Sequence, residues 1–595
     1  MVGSRSIDGH EADRLRIVVL TSGPLLPVNR VFFERLAKDR CLELCGIVVD
    51  EYDEPRRPLM FRILQGLLDE GWPWLWFKLT STCQSLIQKI GLFFFELVHP
   101  RLMQDESYEA WALQTGIPTY RVSDIHNEDS LELMKSLRPQ LGVIVGGRIL
   151  RDSVIKIPEY GTLSIHKGRV PEYHGGGPIG YWEVLTGEPS IAVTIHHVLV
   201  EGDAGEVLAE ATIPIEECDT LESLRIKADL LGAQLYHEAI RGVARGLRQG
   251  LPQDRSRVRT YGAPSELRVW QLQKGLHQKA ARRMPVLRAS PSWAVRTRVL
   301  VQYAVLLPML LYIRRRLIRS RRAPICIFFY HLVANRPLNH MCLPLEKFVK
   351  QIDFLRRYYK SISLDDAVEQ LRSGFNNEIA VSITFDDGYE NTWAVEYLRY
   401  FGIPAGFFVS IGHVIEGTPF EHDRKQGFEM ASPIRRPELR RLSSEGFLIG
   451  SHGIYHEDFG KIDATAAEHV LRESRRLIGQ VTGKEPEHFS FPIGQRGKNM
   501  TEESCGIAKK YYRYVYSAYG GYNFPCPGRW HFLRICNPPD VLELVTVMDG
   551  YTGFRQCVPG NAWGLKTARL TPYADDDGKR TLVRDLLLAL TKGSR

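Results

Sequence analysis

Between Leu267 and Leu345 the sequence has no acidic residue at all. Arginine and lysine recur there, ending in Arg314, Arg315, Arg316, Arg319, Arg321 and Arg322. A local field of that kind favours an anionic partner, a lipid surface or a nucleic acid. The stretch also lacks the aromatic interleaving of a base-stacking platform, which argues against nucleic acid. Cysteines paired at metal-ligand spacing are missing too. The ten cysteines are scattered from Cys41 to Cys557, which excludes a dense disulfide framework and reads as free thiols in a reducing cytoplasm. Cys41 and Cys45, close to a strand, read as small buried residues. The opening, MVGSRSIDGHEADRLRIVVL, is polar and acidic with only a short apolar run, which is not a secretory signal. The apolar segment Val299–Ile313 is fifteen residues long and interrupted by Pro308, short of the about 20 residues that span a bilayer. It reads as an interfacial or re-entrant anchor on an acidic leaflet, with a buried linker helix as the alternative.

What is present is the composition of a folded protein: 595 residues, 44% hydrophobic, 25% charged and a net charge of +8. That length implies about two to four domains. After a tail (1–14), residues 15–262 show strand–helix–strand texture, beginning with IVVLTSG and LCGIVVD, as at the start of a parallel α/β sheet. An aromatic-rich insertion at 58–99 reads as helices placed in a loop of that sheet. Its role stands open between core or dimer contact and an interfacial membrane helix. A basic linker follows at 263–323. A second α/β series occupies 324–560, and a C-terminal helix at Leu582–Leu590 with its polar tail fills 561–595.

Within the second series, Val381-Ser-Ile-Thr-Phe-Asp386-Asp387-Gly388 is an apolar strand ending in adjacent carboxylates and a glycine that permits a sharp turn. Adjacent carboxylates repel unless a cation or proton separates their roles. One can bind a metal while the other acts as a base. Further on, His452 and His456 lie four residues apart, a spacing that places two imidazoles on one face of a helical turn. Asp387, His452 and His456 make an Asp-His-His set suited to Zn²⁺ or another borderline divalent ion. A third block, Phe489-Ser-Phe-Pro-Ile-Gly494, is a Pro/Gly turn. In this order, with Tyr330-His331 upstream, the blocks resemble the polysaccharide deacetylase (NodB-homology) family over about 230 residues. The resemblance implies a distorted (β/α) barrel with Asp386 as general base and Asp387, His452 and His456 as metal ligands. Two departures stand out. Ser490 occupies a position where many relatives have arginine, and no histidine follows the strand Phe532-Leu-Arg-Ile535 to serve as general acid.

The first series carries Gly161-Thr-Leu-Ser164-Ile-His166-Lys-Gly168-Arg-Val-Pro171-Glu-Tyr-His-Gly175, then Ala192-Val-Thr-Ile-His196-His197, then Glu201-Gly-Asp203-Ala-Gly205. A histidine and an aspartate, each beside glycines, suit a proton-shuttle pair at a loop-lined cleft. Strand alternation allows at most one of His196 and His197 to face it. These blocks resemble the folate-dependent formyltransferases over roughly Arg16–Tyr261. The resemblance implies a Rossmann-like sheet, N10-formyltetrahydrofolate as donor with Gly168, Pro171 and Gly175 as candidate cofactor contacts, and His166 and Asp203 as catalytic residues. Ser164 stands where the family has an asparagine that donates to the developing oxyanion, a change worth about 2–4 kcal/mol.

Read together, the halves point to a fused α/β enzyme of amino-sugar metabolism. One half would remove an N-acyl group and the other would formylate an amine. The expected substrate is nucleotide- or lipid-linked, and a formyl-folate donor places the work in the cytoplasm, at the inner face of the membrane if the linker binds lipid. A deacetylase with a degenerate docking domain, and a non-catalytic membrane-associated assembly protein, are the alternatives.

Overall fold

The computed structural model describes residues 14–52, 58–99, 101–102, 107–199, 205–284, 293–428, 430–495 and 497–551. Residues 1–13 of the expected tail 1–14, Asp203 and the helix at Leu582–Leu590 lie outside the described residues. The chain divides into two compact units, Met1–Phe93 with Gln104–Ala281, and Phe94–Met103 with Arg282–Arg595. The last part of the aromatic insertion therefore groups with the second unit.

In the first unit, short apolar runs form β1 (Leu15–Ser22), β2 (Leu42–Asp50), β3 (Thr119–Val122), β4 (Leu141–Val145), β5 (Thr162–His166), β6 (His174–Gly175), β7 (Ser190–His197), β8 (Val207–Pro214) and β9 (Thr260–Tyr261). Seven build one sheet in the order β3-β2-β1-β4-β5-β7-β8, while β6 pairs with β9. The ladder is parallel from β3 to β5 and antiparallel from β5 to β8. Val18, Leu20 and Val48 point to one face, against Met134, Val154 and Ile155. The other face is covered by helices Pro27–Lys38 and Leu221–Ala244, and from the latter Tyr236 Oη donates to Leu163 O at 2.8 Å. Both faces of a parallel sheet must be covered, which is why its strands are apolar nearly throughout. Cys41 is exposed and Cys45 only partly covered, against the expectation that both are buried; Cys41 precedes β2 at the chain's surface turn. The insertion is helical as expected, at Leu59–Glu70 and Trp72–Val98.

The second unit contains β10 (Ile325–Tyr330), β11 (Lys360–Ser361), β12 (Ala380–Phe385), β13 (Ala405–Val409), β14 (Leu448–Ser451), β15 (His488–Ser490), β16 (Tyr514–Tyr516), β17 (His531–Phe532) and β18 (Ile535–Cys536). The main path runs β17-β16-β15-β14-β13-β12-β10-β18, with β11 beside β12, and its pairings are parallel. β17 and β18 form the two edges, so the barrel is open, as a distorted (β/α) barrel should be. All residues of β10 and β12 are buried, and helices such as Leu345–Tyr358 lie outside them. The basic linker is mostly helix. The segment expected at 299–313 sits inside a 27-residue helix, Trp293–Arg319, which runs on through Pro308. By length and composition alone, Ala294–Arg319 is long and apolar enough to cross a membrane; the helix extends beyond the fifteen residues read from the sequence. Tyr303 and Leu310 of this helix are buried with Tyr551.

Candidate functional site

Parallel strands deliver their carboxyl ends to one rim, where α/β folds place chemistry. β12 runs directly into Asp386-Asp387, β10 into His331, β14 into His452, and β15 ends at Ser490. Asp386 N donates to Tyr330 O at 2.9 Å, and Ser410 N donates to Asp387 O at 3.0 Å. Asp387 has φ 69°, a left-handed conformation that costs a non-glycine residue about 1 kcal/mol or more. The turn it makes points its carboxylate inward. Its two oxygens are buried and receive no hydrogen bond, while His452 Nε2 and His456 Nε2 each stand 3.4 Å from Oδ1.

His452 Nδ1 lies 2.7 Å from Ser490 O. A carbonyl only accepts, so Nδ1 carries a proton and Nε2 is the ring nitrogen turned to Asp387. Burial pushes His456 down to about 3, so this ring is neutral, the form that binds metals. Burial also opposes charge on His452, yet Asp386 and Asp387 outweigh it and raise its pKa: the paired carboxylates call for a positive charge at this point. Asp387, His452 and His456 offer donor atoms all within 4.8 Å of one another. An orphaned buried carboxylate facing two imidazole nitrogens fits a divalent ion. The two histidines do not share a helical turn, contrary to expectation. They sit on the loop after β14, where Gly453 (φ 84°) and His456 (φ 63°) fold the chain back.

Asp386 is held by a residue that sequence reasoning missed. Arg534, fully buried just before β18, places Nη1 2.6 Å from Oδ1 and Nη2 2.7 Å from Oδ2 of Asp386, and Nη2 also donates to Ser490 Oγ at 2.6 Å. Burial alone would raise the Asp386 pKa, but the Arg534 guanidinium and His452 lower it below the carboxylate range. The small Ser490 side chain leaves the space into which Arg534 reaches. His422, also unforeseen, stands 3.7 Å from Asp387 Oδ2 and 2.8 Å from Tyr389 Oη. His531 is buried in β17 against Ser517 Oγ at 2.9 Å.

In the first unit, β5 carries Ser164 and His166 two residues apart. A cavity of about 380 Å³ is lined by His166, Gly168, Tyr173, Gly175, Trp182 and Glu183 among others. His166 Nε2 donates to Tyr173 O at 2.9 Å, which leaves Nδ1 as the acceptor. Gly175 has φ 128°, and a Cβ there would come within 2.1 Å of Tyr261 O, so β6 can meet β9 only with glycine. Ser164 and Pro171 are not among the lining residues. Neither His196, fully buried, nor His197, 3.0 Å from Arg248 O, lines it either. Glu183, buried at the cavity wall, has its carboxyl pushed up by that burial; no sequence motif marks it.

Residues 374–514 match the family model described as polysaccharide deacetylase, and residues 99–240 match the one described as formyl transferase. The chain thus joins a formyl transferase region to a polysaccharide deacetylase region, both α/β. The methionyl-tRNA formyltransferase of Staphylococcus aureus strain JH1 is 28% identical over 155 residues, 26% of this chain and 50% of that protein. That of Bacillus velezensis is 31% identical over 159 residues, 27% of this chain and 50% of that protein. The chain spans about half the length of the curated relatives it matches. Among solved structures, a polysaccharide deacetylase from Bacillus cereus is 17% identical with a TM-score of 0.30, covering 38% of this chain and 69% of its own. An N-formyltransferase from Helicobacter canadensis, solved with folinic acid and dTDP-3-aminofucose, is 12% identical with a TM-score of 0.27, covering 42% of this chain and 71% of its own. Asp386, Asp387, His452 and His456 fall inside the matched deacetylase span; His331 and Arg534 fall outside it.

Proposed function

We propose that this chain is a bifunctional amino-sugar-modifying enzyme of glycan or polysaccharide biosynthesis. Its second unit removes an N-acyl group, acetyl or formyl, from a sugar with the help of a divalent ion, zinc being the best match to the ligands. Its first unit transfers formyl from N10-formyltetrahydrofolate to an amine. The observation that carries the reading is the pairing of an orphaned, buried Asp387 between two imidazoles with an adjacent Asp386 kept ionised by Arg534.

Asp387, His452 and His456 would hold the ion, which when bound supplies Lewis-acid polarisation of the amide carbonyl. Asp386 accepts the proton of the attacking water, and Arg534 fixes both oxygens of that base in place. In the first unit, His166 accepts the amine proton at Nδ1, with Asp203 as its partner and Ser164 offering one hydrogen bond to the formyl oxygen. A second reading, a deacetylase with a docking domain, is favoured by one observation: serine, not asparagine, stands at position 164, two residues before His166 on β5. The substrate would be nucleotide- or lipid-linked. The enzyme would work in the cytoplasm, at the inner membrane face through the basic helix Trp293–Arg319.

Acyl-state mass spectrometry tests this. The protein with Zn²⁺ is offered N-acetylated, N-formylated and free-amine sugars, nucleotide- and lipid-linked, with and without the folate. Acyl loss without folate and formyl gain with it support both activities, and acyl loss alone supports the docking reading. No acyl loss on any substrate rejects the hydrolase.

A further inference from the structure

In the helix Trp72–Val98, Trp72, Trp76, Leu79, Leu86, Ile90 and Phe93 follow one another at steps of four, three, seven, four and three residues. Such steps keep side chains on one side of an α-helix. Cys83, inside the long step, is exposed as well. The apolar stripe is open to solvent: Trp72 is 77% exposed, Trp76 71% and Phe93 65%. The preceding helix adds Met60, Leu64 and Leu68, the last 85% exposed. Isolated apolar residues on a surface are ordinary, but a continuous patch marks an interaction site.

The other side of this hairpin is already seated within the first unit. Trp74 lies so close over Gly66 that a Cβ there would fall 2.4 Å from the indole. Lys78 Nζ meets Glu266 at 2.5 Å, and the Phe77 ring lies 5.5 Å from that of Trp270. The stripe is therefore not a face awaiting the domain's own core.

We propose that the hairpin Leu59–Phe93 docks the first unit on an anionic lipid surface, separately from the attachment suggested for Trp293–Arg319. No acidic residue occurs between Gly71 and Phe95, and the exposed Lys89 flanks the stripe, which complements acidic headgroups. Trp72 and Trp76 gather at one end, and tryptophan favours the headgroup level. A second copy is the competing occupant, because the steps average the 3.5 residues of a coiled coil. Yet Pro73, Leu75, Thr80, Thr82 and Lys89, which flank the stripe, include a single charge and lack the paired charges that set coiled-coil partners. The inference holds whichever catalytic reading is right.

The test is flotation of the full chain with phosphatidylcholine vesicles, with and without about one-third phosphatidylglycerol. It compares the wild type with Trp72→Ser/Trp76→Ser/Phe93→Ser, and light scattering without lipid runs beside it. These residues are exposed, so the melting temperature should not change. The expected result is binding that requires phosphatidylglycerol and falls at least about tenfold in the triple variant. Equal flotation of both proteins, or no flotation of the wild type, overturns the proposal. So does a lipid-free wild-type dimer that the triple variant converts to monomer.

Discussion

Arg534 grips both carboxylate oxygens of Asp386, at 2.6 and 2.7 Å, from a point 148 residues further along the chain. Two parallel charge-assisted bonds fix the plane of the carboxylate as well as its charge. As the proposed base, Asp386 would act in its ionised form, so activity should be lost as pH falls through its pKa. That pKa lies below the ordinary 3.8 because of the arginine. In Arg534→Gln the largest influence opposing burial is gone, with only His452 and His331 left to offset it, and the acid limb of the pH–rate profile should move up. Unfolding free energy should also drop by about 3–5 kcal/mol, because a buried charge loses its partner. An acid limb that stays in place would remove Arg534 from this role.

The neighbouring carboxylate should behave differently. Asp387→Ala takes one of three ligands from the proposed ion site, so bound zinc measured by elemental analysis should fall from near stoichiometric to a small fraction. In Asp386→Asn the ion should remain while hydrolysis falls about 10²- to 10⁴-fold. Equal metal loss in both variants would show that the two aspartates do not divide the work.

Ser164→Asn tests the first unit. If the short serine is what limits formyl transfer, the longer amide should raise it by about 10²-fold or more, read as formyl gain by mass spectrometry. His166→Ala should abolish formyl gain and leave acyl hydrolysis unchanged. Hydrolysis that falls in step with formyl transfer would contradict two independent centres.

Stability of the first unit has its own probe in Lys227, fully buried with Nζ 2.8 Å from both Glu216 Oε2 and Asp219 Oδ2. Lys227→Ala removes the cation from between two carboxylates, and urea unfolding should report a loss of about 3–5 kcal/mol. A change under 1 kcal/mol would mean that water relieves the carboxylates.

The division into two α/β regions was legible because the central strands, such as β1, β4, β10 and β12, are apolar runs at spacings that leave room for helices between them. Asp386-Asp387 is the clearest example, since the strand and the turn sit on consecutive residues. The loop that joins His452 to His456 was misread as a helical turn. Spacing of four fits both shapes, and only the backbone at Gly453 and His456 separates them. Arg534 could not be found by local pattern, because its partners Asp386 and Ser490 come from other strands. The vacancy of arginine at position 490 was the available signal, and it pointed to a loss where the fold had a substitute. The reach of the helix through Pro308 was missed because proline was weighed as an interruption.

The pairing of β18 with β10 means that the proposed base is completed by the residue just before the last described strand of its unit. During synthesis, Asp386 leaves the ribosome long before Arg534 does. Until Arg534 is present, closing the core around Asp386 would bury its carboxylate without the guanidinium that holds both oxygens, which disfavours closure. The proposed hydrolytic site would therefore be complete only once the sheet's far edge has returned to its first strand.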